Sequence, residues 1–194
     1  MSFVNAHFVT YVQDLGYHKL VAAGAFSIIG ASAIIGALLL GHLSDQHGRR
    51  GLLSFSYNLR AVGFILVLLS MGIPFLNIPS IGIPALLVGI LLVGFSWNAI
   101  TSITAAYASD RFGISHLGTI YGTMFAVMPL GSGLGAYLGG VLYDSQGTYA
   151  IAIWSNIALL LLATGTVFTI KDRRLPTVGV AAADELKTSG KWSV

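Results

Sequence analysis

Residues 20–44, 61–109 and 145–170 of this chain hold no charged side chain at all. A run of that length cannot build a water-facing surface, so each must lie in lipid or against another helix. The rest of the composition agrees: 55% of residues are hydrophobic, 9% are charged, and the mean hydropathy is +0.82. A soluble domain carries about 25% charged residues. The fold class expected is therefore all-α, a polytopic membrane helix bundle. The net charge of +3 sits at the ends of the apolar runs, which marks orientation and is no footprint for nucleic acid. With no cysteine in the chain, disulfides and thiolate metal sites are excluded.

A bilayer core of ~30 Å is crossed by ~20 helical residues. On that measure the sequence divides into spans at about 20–41, 52–73, 83–108, 117–143 and 149–170, with a partial helix at about 3–13. The long uncharged stretch must turn once, and Pro74, Asn77, Pro79 and Pro84 place the turn early in it. The bundle then occupies 1–175, and a polar tail at 176–194 is expected to be disordered. The second span contains Arg60. A central arginine costs roughly 2.5–3.5 kcal/mol, while each surrounding Leu, Ile, Val or Phe returns roughly 0.3–0.6 kcal/mol, so the span still inserts.

Orientation follows from the short connections. Arg49 and Arg50 follow the first span, Arg111 the third, and Lys171, Arg173 and Arg174 the fifth, whereas the other side carries only Lys19. The arginine-bearing side is expected to be cytoplasmic, and with it the C-terminus of a protein of the cell membrane. Five spans ending inside start outside, which points to further sequence upstream.

The connection GHLSDQHGRR, residues 41–50, is the most specific segment. Gly41 and Gly48 permit a tight reversal. Asp45 is suited to accept hydrogen bonds from helix-end amides, and Arg49 with Arg50 to meet an anionic leaflet. This segment resembles the signature of the major facilitator superfamily, Gly-x-Leu-x-Asp-x-x-Gly-Arg-Arg, through Gly41, Leu43, Asp45, Gly48, Arg49 and Arg50; Gln46 stands where the family often has a basic residue. ASDRFGISHLGTIYG, residues 108–122, and the glycine-rich stretch 129–140 with the following YDSQGTY resemble later segments of the same superfamily. The resemblance covers nearly the whole chain. It implies half of that fold, with the N-terminal segment as the outer end of the seventh helix and the five spans as helices eight to twelve.

Three groups of residues are candidates for function. Arg60 lies nine residues beyond Gly51, ~13 Å into the core, with Ser56 and Tyr57 on its face. It reads either as a cation facing a cavity, binding an anion or gating, or as an arginine snorkelling to the headgroups. Asn98 and Thr101, with Ser102, would line a cavity or bond a neighbouring helix. His7 and Tyr11, with Thr10 and Asp14, form a stripe in which His7 would carry a proton or make a polar contact. In the fourth span Pro129 should kink the helix, and Gly131, Gly135 and Gly139 recur every four residues as a face for close packing, or for a moving gate helix. His42, Asp45 and His47 lack a metal-site spacing, and no metal or cofactor is expected. No nucleophile–base pair or acid pair speaks for an enzyme.

The resemblance implies transmembrane transport of a small solute by alternating access, as a symporter or antiporter, by the C-terminal half of a secondary transporter. The expected partners are the lipid bilayer, a missing N-terminal six-helix half, and a small-molecule substrate, with a carboxylate moving with a proton or counter-ion as the solute class nearest the branch resembled. Members of that branch often carry an arginine late in the eighth helix, where this chain has Ala37. The alternative is a non-transporting fragment or accessory membrane protein that needs a separate half.

Overall fold

The computed structural model describes residues 2–72, 79–113 and 115–169. Every regular element among them is an α-helix: α1 (Ser2–Asp14), α2 (Lys19–His47), α3 (Arg49–Met71), α4 (Ile83–Phe95), α5 (Trp97–Phe112), α6 (Leu117–Gln146) and α7 (Ala150–Thr169). Five units are long and apolar enough to cross a membrane, namely α2, α3, α4 with α5, α6 and α7. At 13 residues α1 reaches only ~20 Å, short of a bilayer core.

One expectation needs correction. The segment 41–50 is not a loop. Helix α2 runs through Gly41 to His47, and only Gly48 separates it from α3. A glycine inside a helix costs ~1 kcal/mol, too little to stop a ladder that is otherwise continuous. The reversal is made by Gly48 alone, whose φ of 99° lies where a side chain would be strained. The third span is a single membrane-crossing unit, Ile83–Phe112, interrupted at one residue. It breaks at Ser96, which has φ −84° and ψ −8° and separates α4 from α5. Helix α6 continues through Pro129 to Gln146, where Gly147 turns left-handed with its amide on the Tyr143 carbonyl. The tail 176–194 with Lys171, Arg173 and Arg174, and most of the proline turn, lie outside the described residues.

The main cluster joins α1 (Phe8, Tyr11, Val12), α3 (Phe64, Val67, Leu68), α4 (Leu86, Ile90, Val93) and α7 (Ile153, Ile157). A smaller one, with Leu40, Leu53, Ala99, Ile103 and Val167, ties α5 to α2, α3 and α7 at the Gly48 end. Lipid is as apolar as leucine, so helices in it are held by close fit rather than by exclusion of water. The fit here is made by glycines. A Cβ at Gly63 would stand 2.8 Å from the Gly89 carbonyl oxygen, and one at Gly89 would stand 2.8 Å from that of Gly63. A Cβ at Gly36 would overlap the Phe95 carbonyl, and one at Gly94 would meet Ser32 Oγ and the Ile29 backbone. Helix α4 is thus locked between α2 and α3. Helix α6 stands apart: Gly139 is its single buried residue among those described, and Val127, Leu130, Leu134 and Tyr137 are exposed.

Candidate functional site

Between α3, α5, α6 and α7 lies a cavity of about 610 Å³, open on one side. Its size suits a small organic molecule. Helix α3 contributes Tyr57 and Arg60, α5 contributes Ile100, Thr101 and Thr104, and α7 contributes Ser155, Asn156 and Leu159. The α6 wall alternates Met124, Phe125 and Met128 with Gly131, Ser132 and Gly135. Apolar walls carrying a few convergent polar groups are what fixes the orientation of a bound solute.

Arg60 is the cation of this cavity, and it does not snorkel. Its side chain turns inward and is 5% exposed. Nη2 donates to the Ser96 carbonyl at 2.6 Å and to the Trp97 carbonyl at 3.1 Å, while Nε donates to Ser96 Oγ at 3.3 Å. The guanidinium carbon stands 5.7 Å from the Trp97 ring centroid, within cation–π range. Neither ion pair among the described residues includes Arg60. A buried guanidinium satisfied by carbonyls but not neutralised keeps its full positive charge beside the cavity.

The sequence candidates divide. Arg60, Tyr57 and Thr101 meet in the cavity, and the Thr101 carbonyl also accepts from Tyr121 of α6 at 3.3 Å. Asn98 lies on a separate groove of about 180 Å³ with Trp97 and Ala33. Tyr11 is buried and donates to the Val67 carbonyl at 2.8 Å. His7 seats α1 on α6, its Nε2 3.0 Å from the Ala136 carbonyl and its Nδ1 3.4 Å from Tyr149 Oη. Within this chain the glycine face of α6 is largely uncovered at the two positions Gly131 and Gly139. Nothing stands within 4 Å of a Cβ at Gly131, and Gly139 meets only the His7 ring, at 3.4 Å. Gly131 and Gly135 instead form a low wall of the cavity.

At the Gly48 end the signature residues form a second cluster. Arg49 pairs with Asp45 across the Gly48 reversal, donates from Nε to Asp110 Oδ2 at 2.9 Å, and donates from Nη1 to Ser44 Oγ at 2.9 Å. Helix α3 has no side-chain cap, so Asp45 serves Arg49 rather than helix-end amides. Arg50 donates to the Phe168 carbonyl near the end of α7 and lies over the Phe168 ring. Leu43 is exposed. His42 Nε2 lies 3.0 Å from Gln46 Nε2.

Sequence reading missed Ser96, Ser132, Asn156 and Asp110. Asp110 had a signal, as the first charge after a long uncharged run. Ser132 and Asn156 are lone polar residues in apolar helices, which spacing does not separate from ordinary interhelical contacts.

A sequence model of the Major Facilitator Superfamily matches residues 1–192. An uncharacterized MFS-type transporter of Bacillus subtilis (strain 168), YcxA, is 30% identical over 154 residues, 79% of this chain and 36% of that protein. An MFS-type transporter of Gibberella moniliformis (strain M3125 / FGSC 7600) is 30% identical over 174 residues, 88% of this chain and 39% of that protein. The chain therefore spans well under half the length of both relatives. With a match along its length, five membrane-crossing units and the signature residues at the α2–α3 junction, this integral membrane protein belongs to the major facilitator superfamily.

Proposed function

We propose that the chain is the C-terminal half of a secondary transporter that carries a small organic anion across the cell membrane by alternating access, with the α2–α3 junction and the C-terminus on the cytoplasmic side. Arg60 carries the reading. A guanidinium beside a cavity of solute size, with no carboxylate among the described residues to neutralise it, offers its charge to a carboxylate on the solute. Thr101, Ser132 and Asn156 supply further hydrogen bonds, and the methionines and Phe125 hold the apolar body. The open side of the cavity and the exposed length of α6 suit a second six-helix unit, since superfamily sites lie between two halves.

Uptake of labelled carboxylates by the transporter containing this chain, normalised to the protein in the membrane, tests the reading. Lysine keeps the charge but loses the planar two-point geometry. Arg60→Lys is expected to lower uptake by roughly tenfold, the equivalent of one charged hydrogen bond. Uptake equal to wild type would remove Arg60 from the solute site.

A further inference from the structure

The break between α4 and α5 has a build that solute binding does not require. Helix α4 is immobilised on both sides: Gly63 and Gly89 are in reciprocal backbone contact with α3, and Gly36 and Gly94 seat its last turn on α2. Helix α5 begins one residue later and carries Ile100, Thr101 and Thr104 into the cavity wall. Between them Ser96 is fully buried, and its hydroxyl donates back to the Leu92 and Val93 carbonyls at 3.1 and 2.9 Å. Such back-bonding by serine bends a helix. The backbone oxygens on the far side of the break, those of Ser96 and Trp97, both receive Arg60 Nη2, and Ser96 Oγ receives Nε. One side chain from α3 therefore ties the junction residue and the first residue of α5 to α3.

We propose that Arg60 is a positioning residue for α5: its bonds to Ser96 and Trp97 latch a hinge at Ser96 and so set how far the Ile100, Thr101 and Thr104 wall stands from the rest of the cavity. Arg60 is the only arginine or lysine among the described residues that lies in the middle of a spanning unit, and it spends three hydrogen bonds on this junction. A latch made of hydrogen bonds to carbonyls, with no carboxylate in it, releases without separating an ion pair in a low-dielectric interior, where such separation is most costly. An anion arriving at the guanidinium would compete with those carbonyls for it. The latch itself does not depend on the identity of the solute.

The chain has no cysteine, so spin labels are placed without background. Val62 on α3, Val88 on α4 and Phe112 at the end of α5 are all exposed. Helix α5 has 16 residues, hence ~24 Å of length, and a rotation of about 10° at Ser96 moves its far end by about 4 Å. Pulsed electron–electron resonance on the full chain in lipid nanodiscs, without solute, reads the Val62–Phe112 and Val62–Val88 distances. Arg60→Met is expected to shift or broaden the first by about 4 Å and to leave the second unchanged. Ser96→Ala, which keeps the charge but removes the hydroxyl at the hinge, is expected to move the first in the same way by a smaller amount. An unchanged Val62–Phe112 distance in Arg60→Met, or in Ser96→Ala if Arg60→Met does not insert, overturns the latch. Equal disturbance of both distances overturns it as well, because Arg60 would then be supporting the whole bundle. Because no solute is present, either failure leaves the anion-binding reading standing on its own test.

Discussion

Arg60 and Arg49 are both arginines at the cavity side of α3 or its start, yet their surroundings assign them different work. Arg49 meets two acids, Asp45 and Asp110, whose side chains are 60% and 34% exposed, so water and salt screen both pairs. Arg60 meets carbonyls in a buried setting and no acid among the described residues, which is what the proposed role in binding an anion rests on. That a spanning helix carries an arginine near its middle was legible from the sequence, where charge is expensive. Its partners were not. Ser96 and Trp97 lie more than thirty positions away, and two of the three bonds are to backbone oxygens, which every residue possesses and no sequence pattern marks. The same holds for Asp45. Its presence in the signature was plain, but that it faces Arg49 rather than helix-end amides depends on α2 continuing to His47.

At the scale of elements, apolar length and flanking charge were enough to place five spanning units, because the bilayer imposes a length that soluble folds do not. Within this chain the close-packed glycines are not those of the α6 stripe. The four-residue spacing in α6 is a real stripe, but a stripe packs only if a neighbour reaches it, and at Gly131 none does. The glycines that do pack, Gly36, Gly63, Gly89 and Gly94, are spread over three helices and form a pattern only once those helices are assembled. This difference is measurable. Gly36→Ala forces a methyl group into the Phe95 carbonyl and is expected to cost about 2 kcal/mol or more, as overpacking does. Gly131→Ala opens onto free space and gains helix propensity, so no loss is expected. Thermal unfolding of the two variants in detergent compares them directly. Equal destabilisation would mean that α6 packs more closely than it stands here.

For the whole molecule, the bundle presents a cavity on one side and a nearly unburied α6 beside it, which is where the proposed second six-helix unit would sit. The orientation proposed from Arg49, Arg50 and Arg111 predicts that a phosphatase reporter, active only outside, gives no signal when fused at Gln46. Strong signal there would invert the topology. The claim on which the rest depends is that Arg60 offers its charge to an anionic solute, and Trp97, with its ring centroid 5.7 Å from the guanidinium, is a reporter already in place. With Trp154 and Trp192 replaced by phenylalanine, the fluorescence of Trp97 can be titrated in nanodiscs with a series of small carboxylates and with their uncharged amides. The account predicts a saturable change with at least one carboxylate, a response to its amide weaker by roughly tenfold or more, and loss of the change in Arg60→Gln. Responses of equal strength to each acid and its amide, or a full response in Arg60→Gln, would contradict it.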